Sequence, residues 1–195
     1  MIACLGDSTT AGTPLFKSPV EAPPDGDGDP KSQFTYWLQQ AHPDWSLLNR
    51  GVNGERSDEI AARFDRDVLA HDPRVVVIIA GVNDVYQGKE IDHVTTQLAA
   101  MYARAHAAGI AVVAGTIVPY NTATAEQNAK MRTINNWIRE TAGIQAVDTR
   151  AAVADPADPD KLRASPDGLH PDIDGYRRMA EALAPAIDAA LASPA

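Results

Sequence analysis

Three side chains near the two ends of the sequence have the types that nucleophilic catalysis requires. Ser8 lies in the run GDSTT (residues 6–10), and Asp167 and His170 lie in DGLHP (residues 167–171). A serine hydroxyl is a weak nucleophile and needs a neighbouring base. Because Asp167 and His170 are three residues apart, one turn can bring the carboxylate against the imidazole, fix its tautomer and stabilise the imidazolium. We therefore predict a catalytic triad of Ser8, His170 and Asp167.

The spacing of Asp167 and His170 alone does not separate catalysis from structure. An aspartate three residues before a histidine is equally typical of a capped turn that enters a helix. The sequence has four further histidines, all in helical stretches or at helix ends, and we predict that they are surface or packing residues: His42, His71, His93 and His106. The case for catalysis thus depends on what accompanies Ser8.

Acyl transfer also needs hydrogen-bond donors that face the oxygen on which negative charge develops. Gly54 follows the second predicted strand, and Asn83 follows the third, in the run GVND (residues 81–84). We predict an oxyanion hole made of the backbone amides of Ser8 and Gly54 and the side-chain amide of Asn83. Gly51 lies close to Gly54 and remains an alternative source of the second amide.

These residues need a scaffold, and apolar runs along the chain predict one. Runs with β-branched residues predict five strands, over Ile2–Leu5, within Ser46–Val52, and over Val75–Ala80, Ile110–Ala114 and Ile144–Val147. Continuous apolar strands that alternate with helical patterns indicate a parallel sheet covered on both faces. We predict a flavodoxin-like α/β fold with strand order 2-1-3-4-5. Ligands bind beyond the carboxyl ends of such strands, which would place Ser8 between Gly54 and Asn83.

Apolar stripes at helical spacing lie between and after the strands, and we predict that they face the core. The stripes are Ile60, Phe64 and Val68; Val94, Leu98, Met101 and Ala105; Met131, Ile134 and Ile138; and Tyr176, Met179, Leu183, Ile187 and Leu191. Two segments, 13–31 and 148–166, are rich in Pro, Gly or Asp and are predicted to be irregular. Both follow strands, so both could overhang the site.

Taken in order, GDS, Asn53-Gly54, GVND and DGLHP resemble the blocks of the SGNH/GDSL hydrolase family. The resemblance spans residues 6 to about 179. It implies a three-layer α/β/α sandwich and cofactor-free hydrolysis of esters or thioesters, with Ser8, Gly54, Asn83 and His170 as the family's four block residues and Asp167 as its triad acid. The sequence departs from the family's name-giving motif at Thr9, where leucine is usual, and in the Asp-rich run 25–29.

Composition limits the class of protein. With 195 residues, of which 45% are hydrophobic, we predict a single globular domain over residues 1–195. The formal net charge of −9 disfavours nucleic acid and anionic membranes as partners. Apolar runs are too short for a membrane span, and no secretory signal is evident. We therefore expect a cytoplasmic protein, although a secreted form trimmed of its signal remains open.

Other sites are not indicated by the sequence. Cys4 is the single cysteine, so no internal disulfide can form, and we predict that its thiol is buried. No His/Cys cluster has zinc spacing. The run DGDGD (residues 25–29) lacks the glycine and glutamate of a calcium-binding EF-hand loop. We therefore expect neither a metal nor a cofactor.

The residues thus predict a serine hydrolase of small-molecule carboxylic esters. A short-chain acyl ester, a lysophospholipid or an acetylated sugar would each fit as substrate. An acyltransferase or thioesterase with the same triad is the alternative, and a non-enzymatic module that binds a small anion is a third hypothesis. The natural substrate, the oligomeric state and the role of segment 13–31 are left open by the sequence.

Overall fold

The protein is described here by a computed structural model, which covers residues 1–192. Over these residues its strands and α-helices alternate along most of the chain. They are β1 (Ile2–Gly6), α1 (Ser8–Ala11), β2 (Phe16–Lys17), β3 (Asp27–Gly28), α2 (Phe34–Ala41), β4 (Leu47–Gly51), α3 (Ser57–Ala62), α4 (Phe64–Asp67), β5 (Val75–Ile79), α5 (Val82–Tyr86), α6 (Ile91–Ala107), β6 (Ala111–Gly115), α7 (Ala125–Glu140), β7 (Gln145–Val147), α8 (Thr149–Val153), β8 (Ala154–Asp155), β9 (Asp158–Leu162) and α9 (Ile173–Ala192).

Five of the strands form the central sheet, in the order β4-β1-β5-β6-β7, and every neighbouring pair is parallel. This confirms the predicted order 2-1-3-4-5, because these are the five strands that the apolar runs indicate. β1 lies between β4 and β5, and its last residue, Gly6, pairs with Gly51 on one side and Ile79 on the other. The three strands therefore end level with one another, and the loops that follow them emerge side by side.

Alternate residues of the strands point into two separate hydrophobic layers. Ala3, Leu5, Val76 and Ile78 belong to a core with α3, α4, α6 and α7. Ile2, Cys4, Val75, Val77 and Ile79 belong to a second core with α2 and α9. This is the three-layer α/β/α arrangement that apolar residues on both faces of the strands predict. Cys4 is fully buried, and its burial raises the pKa of the thiol far above the ordinary range.

Two predictions about secondary structure need correction. The stripe Ile60, Phe64 and Val68 is buried, but it runs over two short helices, α3 and α4, which are interrupted at Arg63. The segment 148–166 is not irregular throughout, because it contains α8 and the β8–β9 hairpin. Asp148 caps α8 by accepting from the Ala151 N–H at 2.9 Å.

The segment 13–31 is mostly irregular, as predicted, but it contains a short pair of strands and the start of a 3-10 turn. Its strands β2 and β3 pair antiparallel over two residues each, and a 3-10 turn covers Pro30–Ser32. The segment leaves the sheet directly after α1 and returns before α2. Within residues 1–192, no helix is both long enough and apolar enough to cross a membrane.

Candidate active site

Ser8 is the first residue of α1, at the point where β1 ends. The Asp7 carboxylate caps this short helix by accepting from the Thr9 N–H at 2.9 Å. Gly12 ends it with φ 109°, a conformation that favours glycine, and donates its N–H to the Ser8 carbonyl at 3.0 Å. The Ser8 N–H belongs to the first helical turn, whose amides have no acceptor within the helix. Bonds within the run GDSTTAG thus shape this turn, and Asn49 Nδ2 and Arg63 Nη2 support it from elsewhere in the chain by donating to the Ala11 and Gly6 carbonyls at 3.1 and 2.7 Å.

The structure brings Ser8, His170 and Asp167 into one hydrogen-bonded chain. His170 Nε2 lies 2.8 Å from Ser8 Oγ, and His170 Nδ1 lies 2.7 Å from Asp167 Oδ2. Ser8 is 3% exposed, and the His170 side chain is 12% exposed. A proton on Nδ1 would satisfy the aspartate and leave Nε2 free to accept from the serine hydroxyl. The three side chains thus have the geometry that proton transfer from a serine to a histidine requires.

The turn that carries Asp167 and His170 is held by its own side chains. Asp167 Oδ1 accepts from the backbone N–H groups of Leu169 and His170, both at 2.9 Å. Ser165 Oγ donates to the His170 carbonyl at 2.6 Å and accepts from the Gly168 N–H at 2.8 Å. The turn ends three residues before α9, so the aspartate organises the turn and also orients the histidine. The start of α9 is capped instead by Asp172, whose Oδ1 accepts from the Gly175 N–H at 2.7 Å, so Asp167 does not cap the helix.

Hydrogen bonds keep Asp167 ionised. Partial burial alone raises the pKa of a carboxyl group, but here the bonds from the His170 ring and from the Leu169 and His170 N–H groups outweigh it. The pKa of Asp167 consequently lies below its ordinary value. Asp167 therefore carries a negative charge beside the imidazole at neutral pH.

The loop between β4 and α3, residues 52–56, is called here the Gly54 loop, and it presents Gly54 at the same edge of the sheet. Gly54 has φ 81°, and a Cβ built on it would have no neighbour within 4 Å. Gly51, the alternative, donates its N–H to Asn49 Oδ1 at 2.9 Å, and a Cβ there would lie 2.0 Å from the Ala11 nitrogen. The Gly51 amide is therefore already engaged, whereas the Gly54 N–H has no acceptor among residues 1–192.

Asn83, in α5 after β5, reaches the same loop. Its Nδ2 donates to the Glu55 carbonyl at 2.9 Å. An asparagine amide has two N–H donors, so one N–H remains for another acceptor. Arg63, which the sequence gave no reason to select, lies beneath the loop and is 7% exposed. It donates to Glu55 Oε2 at 2.6 Å and to the Gly6 carbonyl at 2.7 Å, and so ties the Gly54 loop to the end of β1.

Ser8, Asn83 and His170 open onto one cavity of about 160 Å³. Its other lining residues are Thr9, Asn53, Val82, Tyr86, Tyr120 and Leu169. Tyr86 is 57% exposed and packs edge-on against Tyr120, with ring centroids 5.8 Å apart. Burial, with the nearby Tyr86, raises the pKa of Tyr120 to about 12, so its hydroxyl stays protonated. A mostly apolar cavity with a few convergent polar groups is typical of small-molecule sites.

Two buried aspartates lie beside the site without contacting the triad. The carboxylate of Asp84 accepts from the Ser57 N–H at 2.8 Å and the Ser57 hydroxyl at 2.7 Å, so it holds the start of α3. Asp7 has one capping oxygen and one buried oxygen without a partner among the described residues. Burial raises the pKa of Asp7 to about 7, against the opposing effect of the Thr9 hydrogen bonds. Both positions fit structural roles in the turns next to Ser8.

One group of side chains has the types that bind metal ions. Ligand atoms of Asp58, Asp84 and His93 lie within 4.8 Å of one another. However, Asp58 is paired with Arg56 Nε at 3.1 Å, and both Asp84 oxygens accept from Ser57. A guanidinium against one of the carboxylates disfavours a cation. His93 Nε2 lies 3.6 Å from an oxygen of each aspartate. The sequence predicted a surface or packing role for His93 and did not indicate these contacts.

The structure brings together the predicted residues Ser8, Asp167 and His170, and it adds residues near them that the sequence did not select: Ser165, Arg63, Tyr86 and Tyr120. Ser165 stands two residues before Asp167 in a run rich in turn residues, which is a usable signal. Arg63 lies between two residues of an apolar stripe, and Tyr86 and Tyr120 lie in unrelated segments. Their part in the site becomes visible only when the strands are assembled.

Comparison with solved structures gives the same architecture. A member of the lipolytic protein G-D-S-L family from Veillonella parvula is 19% identical over 96% of this chain and 97% of that chain, with a TM-score of 0.78. A GDSL-like lipase from Bacteroides thetaiotaomicron is 22% identical over 97% and 88%, with a TM-score of 0.72. A catalytic mutant of an acetylxylan esterase from Geobacillus stearothermophilus is 23% identical over 95% and 93%, with a TM-score of 0.70. At such identities the likeness shows the fold.

The family is shown by the sequence itself. None of the curated proteins matched the chain. The model of the GDSL-like lipase/acylhydrolase family, by contrast, matches residues 4–178. That range includes the Ser8 turn, the Gly54 loop, Asn83 and the DGLHP turn. The chain therefore belongs to the GDSL-like lipase/acylhydrolase family.

Proposed function

We propose that this protein is a serine esterase that cleaves carboxylic esters through an acyl-enzyme on Ser8. The observation that carries the proposal is the unbroken chain from Ser8 Oγ to His170 Nε2, at 2.8 Å, and from His170 Nδ1 to Asp167 Oδ2, at 2.7 Å. Ser8 and His170 line a small cavity, and the family is one of acylhydrolases. We also propose that residues 1–195 form one catalytic domain.

In the proposed mechanism, His170 Nε2 takes the proton of the Ser8 hydroxyl as Oγ attacks the ester carbonyl. Asp167, whose pKa is held below its ordinary value, stabilises the imidazolium that forms. His170 then gives the proton to the leaving alcohol oxygen as its bond to the acyl carbon breaks. Water then attacks the acyl carbon while His170 removes a proton from it. His170 returns this proton to Ser8 Oγ as the bond between Oγ and the acyl carbon breaks, and the carboxylic acid departs.

Three donors are proposed for the oxyanion: the N–H groups of Ser8 and Gly54 and the side-chain amide of Asn83. Gly54 is preferred over Gly51 because the Gly51 N–H already donates to Asn49. Asn83 can serve in two ways at once, since one N–H bonds the Glu55 carbonyl and the other remains for the oxyanion. Donors fixed before the reaction stabilise the developing charge without reorganisation.

The proposed substrates are small esters with a short acyl group. The cavity next to Ser8 and His170 is small, about 160 Å³, and its mostly apolar lining suits a short acyl group. An acetyl group on a sugar fits this space, and one structural neighbour is an acetylxylan esterase. Water is the proposed acceptor. A competing alcohol in the assay would expose transferase activity, because transfer gives a new ester in place of the acid.

The test is hydrolysis of p-nitrophenyl esters of increasing chain length, together with acetylated sugars, by the wild type, Ser8→Ala and the control Ser46→Ala. Ser46 is exposed and lies outside the cavity. We expect Ser8→Ala to lose turnover by about 10³-fold or more, because the triad acts as a unit, and the control to retain it. EDTA should have no effect, since the proposed base and donors all come from the chain. Near-normal turnover by folded Ser8→Ala would contradict the proposal.

A further inference from the structure

Within residues 1–192, Gly54 has no contacts of its own that would fix the direction of its backbone N–H. Glycine has more backbone freedom than any other residue, and the side of Gly54 that a Cβ would occupy has no neighbour within 4 Å. Its N–H has no acceptor among the described residues. An oxyanion donor is effective only if it already points at the reacting oxygen. The contacts of the two neighbouring residues, Asn53 and Glu55, must therefore fix the direction of the Gly54 amide.

On the carboxyl side, Glu55 is fixed by Asn83 and by Arg63, which lies between α3 and α4. Its carbonyl accepts from Asn83 Nδ2, and its carboxylate accepts from Arg63 Nε at 2.6 Å. Arg63 also donates to the carbonyls of Gly6 and Arg50, at 2.7 and 2.8 Å. Glu55 is thus tied to the ends of both β1 and β4.

On the amino side, the partner comes from segment 13–31. Glu21 Oε1 accepts from the Asn53 N–H at 3.0 Å, and Glu21 Oε2 accepts from the Ser18 N–H at 3.2 Å. Ser18 is fully buried and donates its hydroxyl to the Gly51 carbonyl at 2.6 Å. Ser18 therefore holds the end of β4 at Gly51, and Glu21 holds the Gly54 loop at Asn53. A hydrogen bond from a backbone N–H to a carboxylate is among the stronger kinds.

We propose that Glu21 is a positioning residue, whose bond to the Asn53 N–H orients the Gly54 amide toward the oxyanion. The inference rests on the proposed esterase function and assigns a catalytic purpose to part of segment 13–31. Glu21 acts through geometry and not through charge, because a carboxylate near the oxyanion would oppose the negative charge that develops there. A neutral acceptor of the same shape should therefore replace it.

This predicts a specific order among variants. Glu21→Gln keeps one acceptor oxygen, for the Asn53 N–H, and loses only the acceptor of the Ser18 N–H, so its kcat should stay within about 3-fold of the wild type. Glu21→Ala leaves Asn53 without its acceptor and should lower kcat about 10-fold with KM changed less than about 2-fold, because a misdirected donor weakens only the transition state. Asp25→Ala is the matched control: it removes an exposed carboxylate of the same segment for which the structure describes no hydrogen bond.

A second measurement separates positioning from mere support of the fold. An alkyl boronic acid mimics the tetrahedral adduct on Ser8, so its affinity reports on the oxyanion donors. We expect Glu21→Ala to bind it about 10-fold more weakly and Glu21→Gln to bind it like the wild type. Backbone ¹⁵N relaxation should show increased motion at Gly54 in Glu21→Ala only.

The outcomes are distinguishable. Unchanged relaxation at Gly54 in Glu21→Ala would overturn the inference. So would increased motion there with wild-type kcat and boronate affinity, because Glu21 would then support the loop without serving catalysis. A Glu21→Gln variant with wild-type motion at Gly54 but with kcat as low as that of Glu21→Ala would contradict a role through geometry. If instead the wild type neither hydrolyses esters nor binds the boronate, the proposed function fails first and the positioning role fails with it.

Discussion

The Ser8 turn and the Gly54 loop lie side by side at the same edge of the sheet, yet they are fixed in different ways. The Ser8 turn is built from its own sequence: Asp7 caps the helix start, and Gly12 ends it four residues after Ser8. The Gly54 loop takes its partners from elsewhere, with Glu21 32 residues before Asn53 and Asn83 28 residues after Glu55. The first turn is shaped mainly by bonds within its own sequence, with added support at Ala11 from Asn49, whereas the second is held mainly by residues that the assembled fold brings to it.

The difference matters for the proposed reaction, because a nucleophile and an oxyanion donor have different positional requirements. A nucleophile must sit at one position for any acyl chemistry, and a short capped turn at a strand end supplies it. Oxyanion donors must match the substrate's reacting oxygen to a fraction of an ångström. The Gly54 loop is held by side chains of three separate segments, so if Gly54 is the proposed donor, substitutions far from the cavity should affect its alignment.

The largest effect on the long-range side should follow Asn83→Ala. One oxyanion donor is typically worth about 10²–10³ in kcat, and the same substitution removes the bond to the Glu55 carbonyl. We expect kcat to fall by that factor with a small change in KM, and a loss of about 1 kcal/mol in the free energy of unfolding. Steady-state kinetics beside thermal melts measure both. Asn136→Ala, at an exposed position of α7, is the control.

A lowered melting temperature with an unchanged kcat would remove Asn83 from the oxyanion hole. It would leave Asn83 only as a brace for the Gly54 loop. The comparison between the two turns would then concern stability alone.

A smaller effect distinguishes the two turns by their glycines. Alanine at Gly12 or Gly54 meets a positive φ, which costs about 1–2 kcal/mol. Only at Gly12 would the new Cβ also collide, at 2.9 Å from both Gln33 Cβ and the Ser32 carbonyl oxygen, and overpacking typically adds about 1–3 kcal/mol. Denaturant unfolding should therefore show Gly12→Ala as the less stable variant. Equal losses would mean that the Ser8 turn is no more tightly packed than the Gly54 loop.

A pH dependence at the cap of the Ser8 turn tests that turn separately from the Gly54 loop. Burial raises the pKa of Asp7 from 3.8 to about 7, so the folded protein binds a proton there that the unfolded chain has released. The contribution of Asp7 to the free energy of unfolding should thus decrease as pH rises from about 4 to 7. Asp7→Asn keeps an acceptor for the Thr9 N–H but does not titrate. The stability of the wild type relative to Asp7→Asn should fall across this window, and a pH-independent difference would contradict it.

Much of the fold could be predicted from the sequence, because the buried strands are continuous apolar runs and their order follows from the βαβ alternation. The main error concerned residues 148–166. Their polar composition indicates a loop, but α8 is stabilised by its Asp148 cap and by a bond from the Arg150 N–H to Thr116 Oγ1 at 2.9 Å. Thr116 follows β6, so this support exists only once the sheet has formed.

The candidate site divides in the same way. Ser8, Asp167 and His170 stand in short motifs whose spacing already suggests their contacts, and the structure brings them together. Gly54 could not be separated from Gly51 by sequence, because the choice depends on which amide is already bonded. Arg63 and Glu21 have no local signal, since each acts on a loop that is distant in the chain.

The most direct test of the central claim is covalent labelling by a fluorophosphonate, followed by digestion and mass spectrometry. The account predicts one adduct on the wild type, on Ser8, with none on Ser8→Ala and much slower labelling of His170→Ala, because the hydroxyl then lacks its base. Absence of an adduct on the wild type, or equal labelling of wild type and Ser8→Ala, would contradict Ser8 as the nucleophile.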